Sequence, residues 1–481
     1  MINFIDYVIQ SNKTIVEALN AINKNKHKIV FVLENNKLIG SITDGDVRRA
    51  ILKKISLEEN VASIMKKDFT KLLYNAPNHL VRNAFKDYLK IIPLVNDNDE
   101  LVDFADAYSN HKLPLMKPKL DGNELAYITD CIKTSWISSQ GPYVNKFEQD
   151  FSLLHSNYHA ISASSGTSGL HLALAALGIG EGDEVIVPDV TFAATINAVL
   201  FVKATPVLCE IDSRTWCIDT NEVKKLINKN TKAIIPVHLY GQVCDMDNLI
   251  ELAGDHDLFV VEDCAESLGS KWKGQLTGTF GDVSVFSFFG NKTITTGEGG
   301  MVLFKNKHFA DKARVLRDHG MDKSRRYWHN EIGFNYRLTN IQAAIGVAQL
   351  ERLPEIIKKK LEIANWYKNE LKESLLIEKF PHESHDALHS HWLYTVQLSE
   401  KVDRDLVLDE LLKSGVEARP VFYPLHQMPP YNQFNTSNNL GISNKFSKCS
   451  ISLPSFEALT IYEIEYISHE FVNILKKLYE K

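Results

Sequence analysis

Positive charge is in short supply: 54 Lys plus Arg stand against 60 Asp plus Glu, a net charge of -6, so no broad cationic surface exists to meet nucleic acid or anionic lipid. Long apolar runs are missing as well. The best candidates, KAIIPVHLYG and LFVVED, fall far short of the roughly 18 consecutive apolar residues that a membrane span needs. The N-terminal MINFIDYVIQSNKTIVEALN mixes acids and amides into its apolar residues and lacks the basic start and apolar block of a secretory signal. Six cysteines occur in 481 residues, none in a C-x-x-C pair, which argues against a disulfide framework or a metal site and for reduced thiols in a cytoplasmic chain.

Glycine is nearly absent from one region. Of 24 glycines only Gly40 and Gly45 precede residue 113. The Pro- and Lys-containing stretch SNHKLPLMKPK, Ser109 to Lys119, reads as a linker between a small module and a larger one. At 481 residues, 44% hydrophobic and 24% charged, the chain is folded material too long for one core, and two or three domains are expected.

The first module, residues 1–112, carries a weak repeat: KIVFVLENNKLIGSITDGDVRRAILK is echoed by KIIPLVNDNDELVDFADAYS. Each copy reads as strand, polar turn, strand and helix, a unit too small to bury its apolar face alone, so two copies are expected to pair. Within the first copy stands Gly40-Ser41-Ile42-Thr43-Asp44-Gly45-Asp46. This module resembles a pair of cystathionine-β-synthase (CBS) motifs, in which such a segment holds the ribose of an adenine nucleotide. The resemblance makes Thr43 and Asp46 the hydroxyl-binding pair. A plainer reading leaves Asp44-Gly45 as a turn and Asp46 as a helix cap.

From Leu120 onward, strand-length apolar runs (DEVIVP, TPVLCEI, TKAIIPVH, LFVVEDC) alternate with helical patterns. That order predicts a mostly parallel sheet covered on both faces, with its site beyond the carboxyl ends of the strands. After a charged helix over about 354–373 come separated strands and helices, the pattern of a smaller α+β domain.

Three stretches carry chemistry. DVSVFSFFGNKTITTGEGGMV is an alternating strand that presents Lys292 just past its buried end, where a desolvated amine can form an imine with a carbonyl. LFVVEDCAES ends a buried strand in Glu262 and Asp263; a carboxylate there must be paired or functional, and the protonated ring nitrogen of pyridoxal 5'-phosphate (PLP) is one partner that would satisfy it. In Ala163-Ser164-Ser165-Gly166-Thr167-Ser168-Gly169, small hydroxyl residues open a helix whose free N–H groups suit a phosphate. Taken singly, each also reads as ordinary structure: a hairpin, a salt bridge, a cap.

In this order, and together with Val187-Pro188-Asp189-Val190-Thr191-Phe192, Pro236-Val237-His238-Leu239-Tyr240-Gly241, Gly333-Phe334-Asn335-Tyr336-Arg337 and Arg419-Pro420-Val421-Phe422-Tyr423-Pro424, the chain from about Leu113 onward resembles the DegT/DnrJ/EryC1/StrS sugar aminotransferases. The resemblance implies the α/β architecture of fold type I PLP enzymes: a large cofactor domain over 113–370 and a small C-terminal α+β domain over 371–481. It also implies roles. Lys292 binds the cofactor carbonyl and Asp263 pairs with the pyridine nitrogen, the two catalytic residues. Glu266 approaches the phenolic oxygen, Phe192 stacks on the ring, and Thr167, Ser168 and Ser287 hold the phosphate. Asn335 reaches the phosphate of a neighbouring subunit, so a homodimer or larger homo-oligomer is expected.

Relatives that remove a sugar hydroxyl carry histidine in place of the lysine, so Lys292 disfavours dehydration. Glu266 and Arg326-Tyr327-Trp328-His329 narrow the resemblance to enzymes that move an amine from L-glutamate to C4 of a GDP-linked 4-keto-6-deoxy sugar for surface polysaccharide (O-antigen). Tyr327, His329 and Arg337 are then the expected substrate contacts, although an aromatic and basic cluster of this kind also reads as a subunit interface. Two rivals stay open: a UDP-linked 4-keto-sugar substrate, and a non-catalytic sensor that keeps the fold.

Overall fold

The computed structural model describes residues 6–25, 27–74, 76, 80–81, 84–86, 89–106, 113–322, 324–434 and 440–480. The chain forms two compact units that divide after residue 112.

The first unit contains two three-stranded sheets of matching design. Strands Val8–Gln10, Ile29–Glu34 and Lys37–Thr43 make one, and Leu72–Leu73, Ile91–Val95 and Leu101–Asp106 the other. In each, the first pair is parallel and the second an antiparallel hairpin. The first hairpin turns on Asn35 and Asn36 with φ of 50° and 65°, the two left-handed residues that a tight two-residue turn requires. Tyr7, Phe31 and Leu33 from one repeat share a core with Ile91, Val95 and Phe104 from the other. The helix expected after the second hairpin falls on residues 107–109, outside the described residues, as does the start of the linker over 109–112; from Leu101 to Asp106 the chain is strand.

In the second unit a seven-stranded sheet runs in the order His159–Ala163, Gly300–Phe304, Val283–Ser287, Phe259–Asp263, Thr231–Ile234, Glu184–Pro188 and Thr205–Cys209. Gly300–Phe304 is antiparallel to both neighbours, and every other adjacent pair is parallel. The central strands are buried along almost their whole length, which is why they read as continuous apolar runs. Helix Gly166–Leu177 lies against this sheet through Gly169, where a Cβ would stand 2.8 Å from a Val285 methyl; any side chain there would lift the helix.

Helix Leu353–Leu371 leads to an antiparallel sheet of Ile377–Lys379, Tyr394–Leu398, Ser450–Leu453 and Arg419–Pro420. Its core joins Val396, Leu398 and Ile451 to Val407 and Leu411 of helix Arg404–Lys413, Ile464 and Phe471 of helix Ile461–Tyr479, and Ile363 and Tyr367 of helix Leu353–Leu371. Of the run VEARPVF only Arg419–Pro420 pairs as strand, since proline has no N–H with which to extend the ladder. Among the described residues no helix is long and apolar enough to cross a membrane.

Candidate functional site

A cavity of about 440 Å³ opens beyond the carboxyl ends of the central strands, a volume suited to a small cofactor and part of its substrate. Asp263, the last residue of strand Phe259–Asp263, lines it. Alternation along the strand turns the preceding Glu262 to the opposite face.

Glu262 is fully buried and takes hydrogen bonds from the backbone N–H groups of Gly278, Phe280 and Gly281, each at 2.8 Å. Nδ1 of His238 accepts from the Cys244 N–H at 3.2 Å, so Nε2 carries the proton and donates to Glu262 at 3.1 Å. Burial raises the pKa of Glu262, but His238 and the N–H groups of Gly281 and Gly278 outweigh it and hold the carboxyl below its ordinary value. His238, Glu262 and Cys264 place their ligand atoms within 4.8 Å of one another. Both Glu262 oxygens and both His238 nitrogens are already engaged, so the cluster is a hydrogen-bonded strut rather than a cation pocket.

Asp263 accepts from the Thr195 hydroxyl at 2.8 Å and from the Ala265 N–H at 3.1 Å. Burial pushes its pKa up, against the opposing pull of Thr195, the Ala265 N–H, Lys292 and His238. Glu266 is raised by burial too; it accepts from the Tyr240 N–H at 2.8 Å and from Lys292 Nζ at 3.4 Å.

Lys292 stands in the connection between strands Val283–Ser287 and Gly300–Phe304. The base of that loop is stapled by the Phe288 N–H to the Gly299 carbonyl at 2.8 Å and the Thr296 N–H to the Phe288 carbonyl at 2.9 Å. Lys292 Nζ lies 3.9 Å from the centre of the Trp392 ring. The Trp392 N–H donates to the Asn291 carbonyl at 2.6 Å, and the ring stacks with Tyr240 at 6.0 Å.

At the other end of the cavity helix Gly166–Leu177 begins. Ser165 caps it, and Gly166 approaches Ser287 so closely that a Cβ would sit 3.0 Å from the Ser287 Cβ. Ser165, Gly166, Thr167 and Ser287 all line the cavity, a cradle of hydroxyls and free helix N–H groups of the kind that takes phosphate. Phe192 forms part of the wall, 59% exposed, with Phe422 5.8 Å away. The loop that carries Phe192 is held by Asp189, which accepts from the His426 N–H at 3.0 Å and pairs with its ring at 2.7 Å.

The expected cofactor residues Lys292, Asp263, Glu266, Thr167, Ser287 and Phe192 are thus brought to one cavity. Ser168 is not: its hydroxyl accepts from the Ser165 N–H at 2.9 Å and completes the capping box of the helix, and the residue is absent from the cavity wall. Tyr327, His329, Asn335 and Arg337 lie outside this cavity as well. Tyr327 is 75% exposed, His329 bonds to the His319 carbonyl at 2.9 Å, and Arg337 pairs with Asp318 at 2.8 Å and with Asn335 at 3.1 Å. In the first unit Thr43 and Asp46 meet, but as the capping box of helix Asp44–Leu52. Asp46 takes the Thr43 N–H at 2.9 Å and its hydroxyl at 2.5 Å, and is flanked by Arg49 at 2.5 Å and Lys66 at 3.3 Å.

Sequence reasoning missed Thr195, Tyr240, Glu298, Trp392 and Arg419. Thr195 contacts Asp263 and the others line the cavity. Tyr240, Arg419 and Glu298 stood inside stretches already singled out, Pro236 to Gly241, Arg419 to Pro424 and the Lys292 loop, but with no role of their own; Thr195 and Trp392 lay outside all of them.

The donor set fits PLP. A buried carboxylate faces the cavity for a pyridinium, an amine for the carbonyl and a glycine-opened helix start for the phosphate. The class follows from the whole chain: the model of the DegT/DnrJ/EryC1/StrS aminotransferase family matches residues 118–472, and the chain belongs to this family of PLP-dependent sugar aminotransferases. A CBS-domain model matches residues 5–53. In particular, the chain is 46% identical over 358 residues to the GDP-perosamine synthase of Caulobacter vibrioides, covering 74% of this chain and 96% of that protein. It is 44% identical over 355 residues to that of Escherichia coli O157:H7, covering 74% and 96%. Among solved structures, the putative sugar aminotransferase Spr1654 from Streptococcus pneumoniae in its PMP form matches with a TM-score of 0.73 and 28% identity, over 76% of this chain and 98% of that one. Helicobacter pylori PseC, an aminotransferase involved in the biosynthesis of pseudoaminic acid, matches with 0.72 and 28%, over 76% and 100%.

Proposed function

We propose that this aminotransferase moves the amine of L-glutamate to C4 of GDP-4-keto-6-deoxy-D-mannose, giving GDP-perosamine for surface polysaccharide such as O-antigen. The observation that carries the reading is the convergence of Lys292, Asp263 and Glu266 on one cavity in a chain 46% identical to a GDP-perosamine synthase. Bound PLP supplies an electron sink that acidifies the C–H bond beside the amine.

The chain's own residues do the rest. Lys292 Nζ would hold the cofactor carbonyl and, as a free amine, would move a proton from the donor carbon and return one to sugar C4. Glu266 holds Lys292 at 3.4 Å and would stand toward the phenolic oxygen. Asp263, kept in place by Thr195 and the Ala265 N–H, would hold a pyridine nitrogen protonated. Thr167, Ser287 and the N–H groups at the start of helix Gly166–Leu177 would bind the phosphate, and Phe192 would cover the ring.

Tyr327, His329 and Arg337 sit on a stretch that also exposes Trp328 and Ile332, the latter 94% accessible. An apolar surface of this kind suits a second copy of the chain, and the reading places these residues and Asn335 at the neighbour's cavity in a homodimer. In the first unit the same reading takes an adenine nucleotide at Thr43 and Asp46, supported by the CBS match over residues 5–53. Melting with AMP, ATP and GDP tests that site; no shift with any of them would leave the pair as a helix cap alone.

Incubation with glutamate and either GDP- or UDP-linked 4-keto-6-deoxy sugars, followed by mass spectrometry, tests the substrate. The expected result is amino-sugar from the GDP form. Product from the UDP form alone overturns the nucleotide assignment, and turnover that survives Lys292→Ala overturns the mechanism.

A further inference from the structure

Lys360, on helix Leu353–Leu371, is 2% exposed and has no role in the scheme above. Its Nζ meets three oxygens on two other segments: the Trp392 carbonyl at 2.9 Å, the Ser455 carbonyl at 2.5 Å and the Ser455 hydroxyl at 2.8 Å. The Ser455 hydroxyl also reaches the His391 carbonyl at 3.3 Å, and the Ser455 N–H donates to the carbonyl of Leu115, a residue of the cavity wall. A buried amine with this many partners is costly to desolvate and is worth keeping only where it fixes something. What it fixes is the backbone of Trp392, whose ring covers Lys292 Nζ at 3.9 Å and whose N–H grips the Asn291 carbonyl, one residue before Lys292.

We propose that Lys360 is a positioning residue for Lys292: its buried amine pins the Trp392 backbone so that the indole holds both the lysine side chain and the loop that carries it. The effect passes through two contacts, Lys360 to Trp392 and Trp392 to Lys292. A displacement of Trp392 therefore misplaces the reacting amine without touching Asp263 or the phosphate cradle.

The test is the rate at which the apoenzyme takes up PLP, read by absorbance and by borohydride capture of the cofactor on Lys292 with peptide mass spectrometry. Lys360→Met slows capture roughly ten-fold, the scale set by small misplacements of reacting groups. In a Trp392→Ala background, where no ring is left to displace, the same change adds less than about two-fold. Lys360→Gln, neutral but still a donor to the Trp392 carbonyl, recovers part of the loss. Effects of Lys360→Met and Trp392→Ala that multiply, or a Lys360→Met chain that melts earlier yet captures at the wild-type rate, overturn the proposal.

Should no Lys360 variant fold, the wild-type chain decides. Burial draws the pKa of Lys360 down to about 7, and losing the proton removes one of three donors. The titratable group that feels its charge is His391, drawn by burial to about 3; Tyr367 of the same helix donates to the Pro454 carbonyl next to Ser455, Tyr394 stacks on His391, both hydroxyls are pushed up by burial, and Glu457, two residues past Ser455, is paired with Arg352 and Lys119. The ratio of wild-type to Trp392→Ala capture rates then falls between about pH 6 and about pH 8; a flat ratio overturns the proposal. The proposal rests on Lys292 being the lysine that takes the cofactor. Capture at another lysine overturns that underlying reading, whereas capture at Lys292 with no dependence on Lys360 overturns only this one.

Discussion

Asp263 and Lys360 are both buried ionisable groups, and burial acts on them in opposite directions: it raises the carboxyl of one and lowers the ammonium of the other to about 7. For Asp263 the charged form needs a cationic partner, which a protonated pyridine ring supplies. Asp263→Asn keeps the shape, with Thr195 still at hand, and removes the charge. Turnover should fall by at least about 100-fold, in line with loss of a group that tunes a cofactor, while melting of the apoenzyme moves by only a few degrees. Steady-state kinetics beside thermal unfolding checks both halves. Lys360 couples its proton to folding. The folded-state value of about 7 lies below the ordinary 10.5, so between these pH values the unfolded chain binds a proton that the folded chain has released. Stability contributed by this residue therefore rises with pH across that window, at a limiting slope of about 1.4 kcal/mol per pH unit. Denaturant unfolding of the wild type and Lys360→Met should show their difference growing in favour of the wild type from pH 7 to pH 10; a constant difference would contradict the assignment.

Helix Gly166–Leu177 shows how far local sequence carries. Its start was legible because Ser165 and Ser168 stand three residues apart with small residues between them. The same spacing suits a capping box, which is the use the structure makes of Ser168, whose hydroxyl takes the Ser165 N–H. The glycines were not legible in their true role, since Gly166 and Gly169 matter through Ser287 and Val285, residues over a hundred positions away. Gly169→Val should force the helix off the sheet and cost about 1–3 kcal/mol; Gly166→Ala should cost less in stability but weaken cofactor binding, measured by titration of the apoenzyme with PLP. The strands of the large sheet were readable as apolar runs because they are buried on both faces. Trp392 was not, because no period or spacing ties a residue to a strand end more than a hundred positions distant; Tyr240 and Arg419 stood within stretches that carried the resemblance, yet nothing local said that they line the cavity. In the first unit the Gly40-to-Asp46 motif supported two readings, and the structure shifts the plainer one by three residues: Thr43, not Asp46, is the N-cap, Asp44 and Gly45 open the helix instead of forming a turn, and Asp46 closes the capping box while holding Arg49 and Lys66, so an incoming ribose must compete with these partners.

At the scale of the molecule, most of the expected cofactor residues line the cavity, whereas Asn335 and the expected substrate contacts Tyr327, His329 and Arg337 lie outside it. The proposed dimer joins the two, and mixing tests it. Lys292→Ala and Asn335→Ala chains, each inactive alone, should give about a quarter of wild-type activity when unfolded and refolded together, because half the dimers are mixed and one site in each is intact. Activity no higher than that of the parents would place Asn335 in its own chain's site or in none. The charge count, -6 over the whole chain, says little about anionic ligands when a helix start and a few placed side chains meet them. The backbone staple at the base of the Lys292 loop carries a last consequence. Phe288, Thr296 and Gly299 close that loop through main-chain atoms, so the architecture stands whether or not the lysine is present. Lys292→Ala should therefore melt within a few degrees of the wild-type apoenzyme, and a descendant could lose its chemistry in one codon and still fold. In this chain the lysine owes its place to use, since the architecture would persist without it.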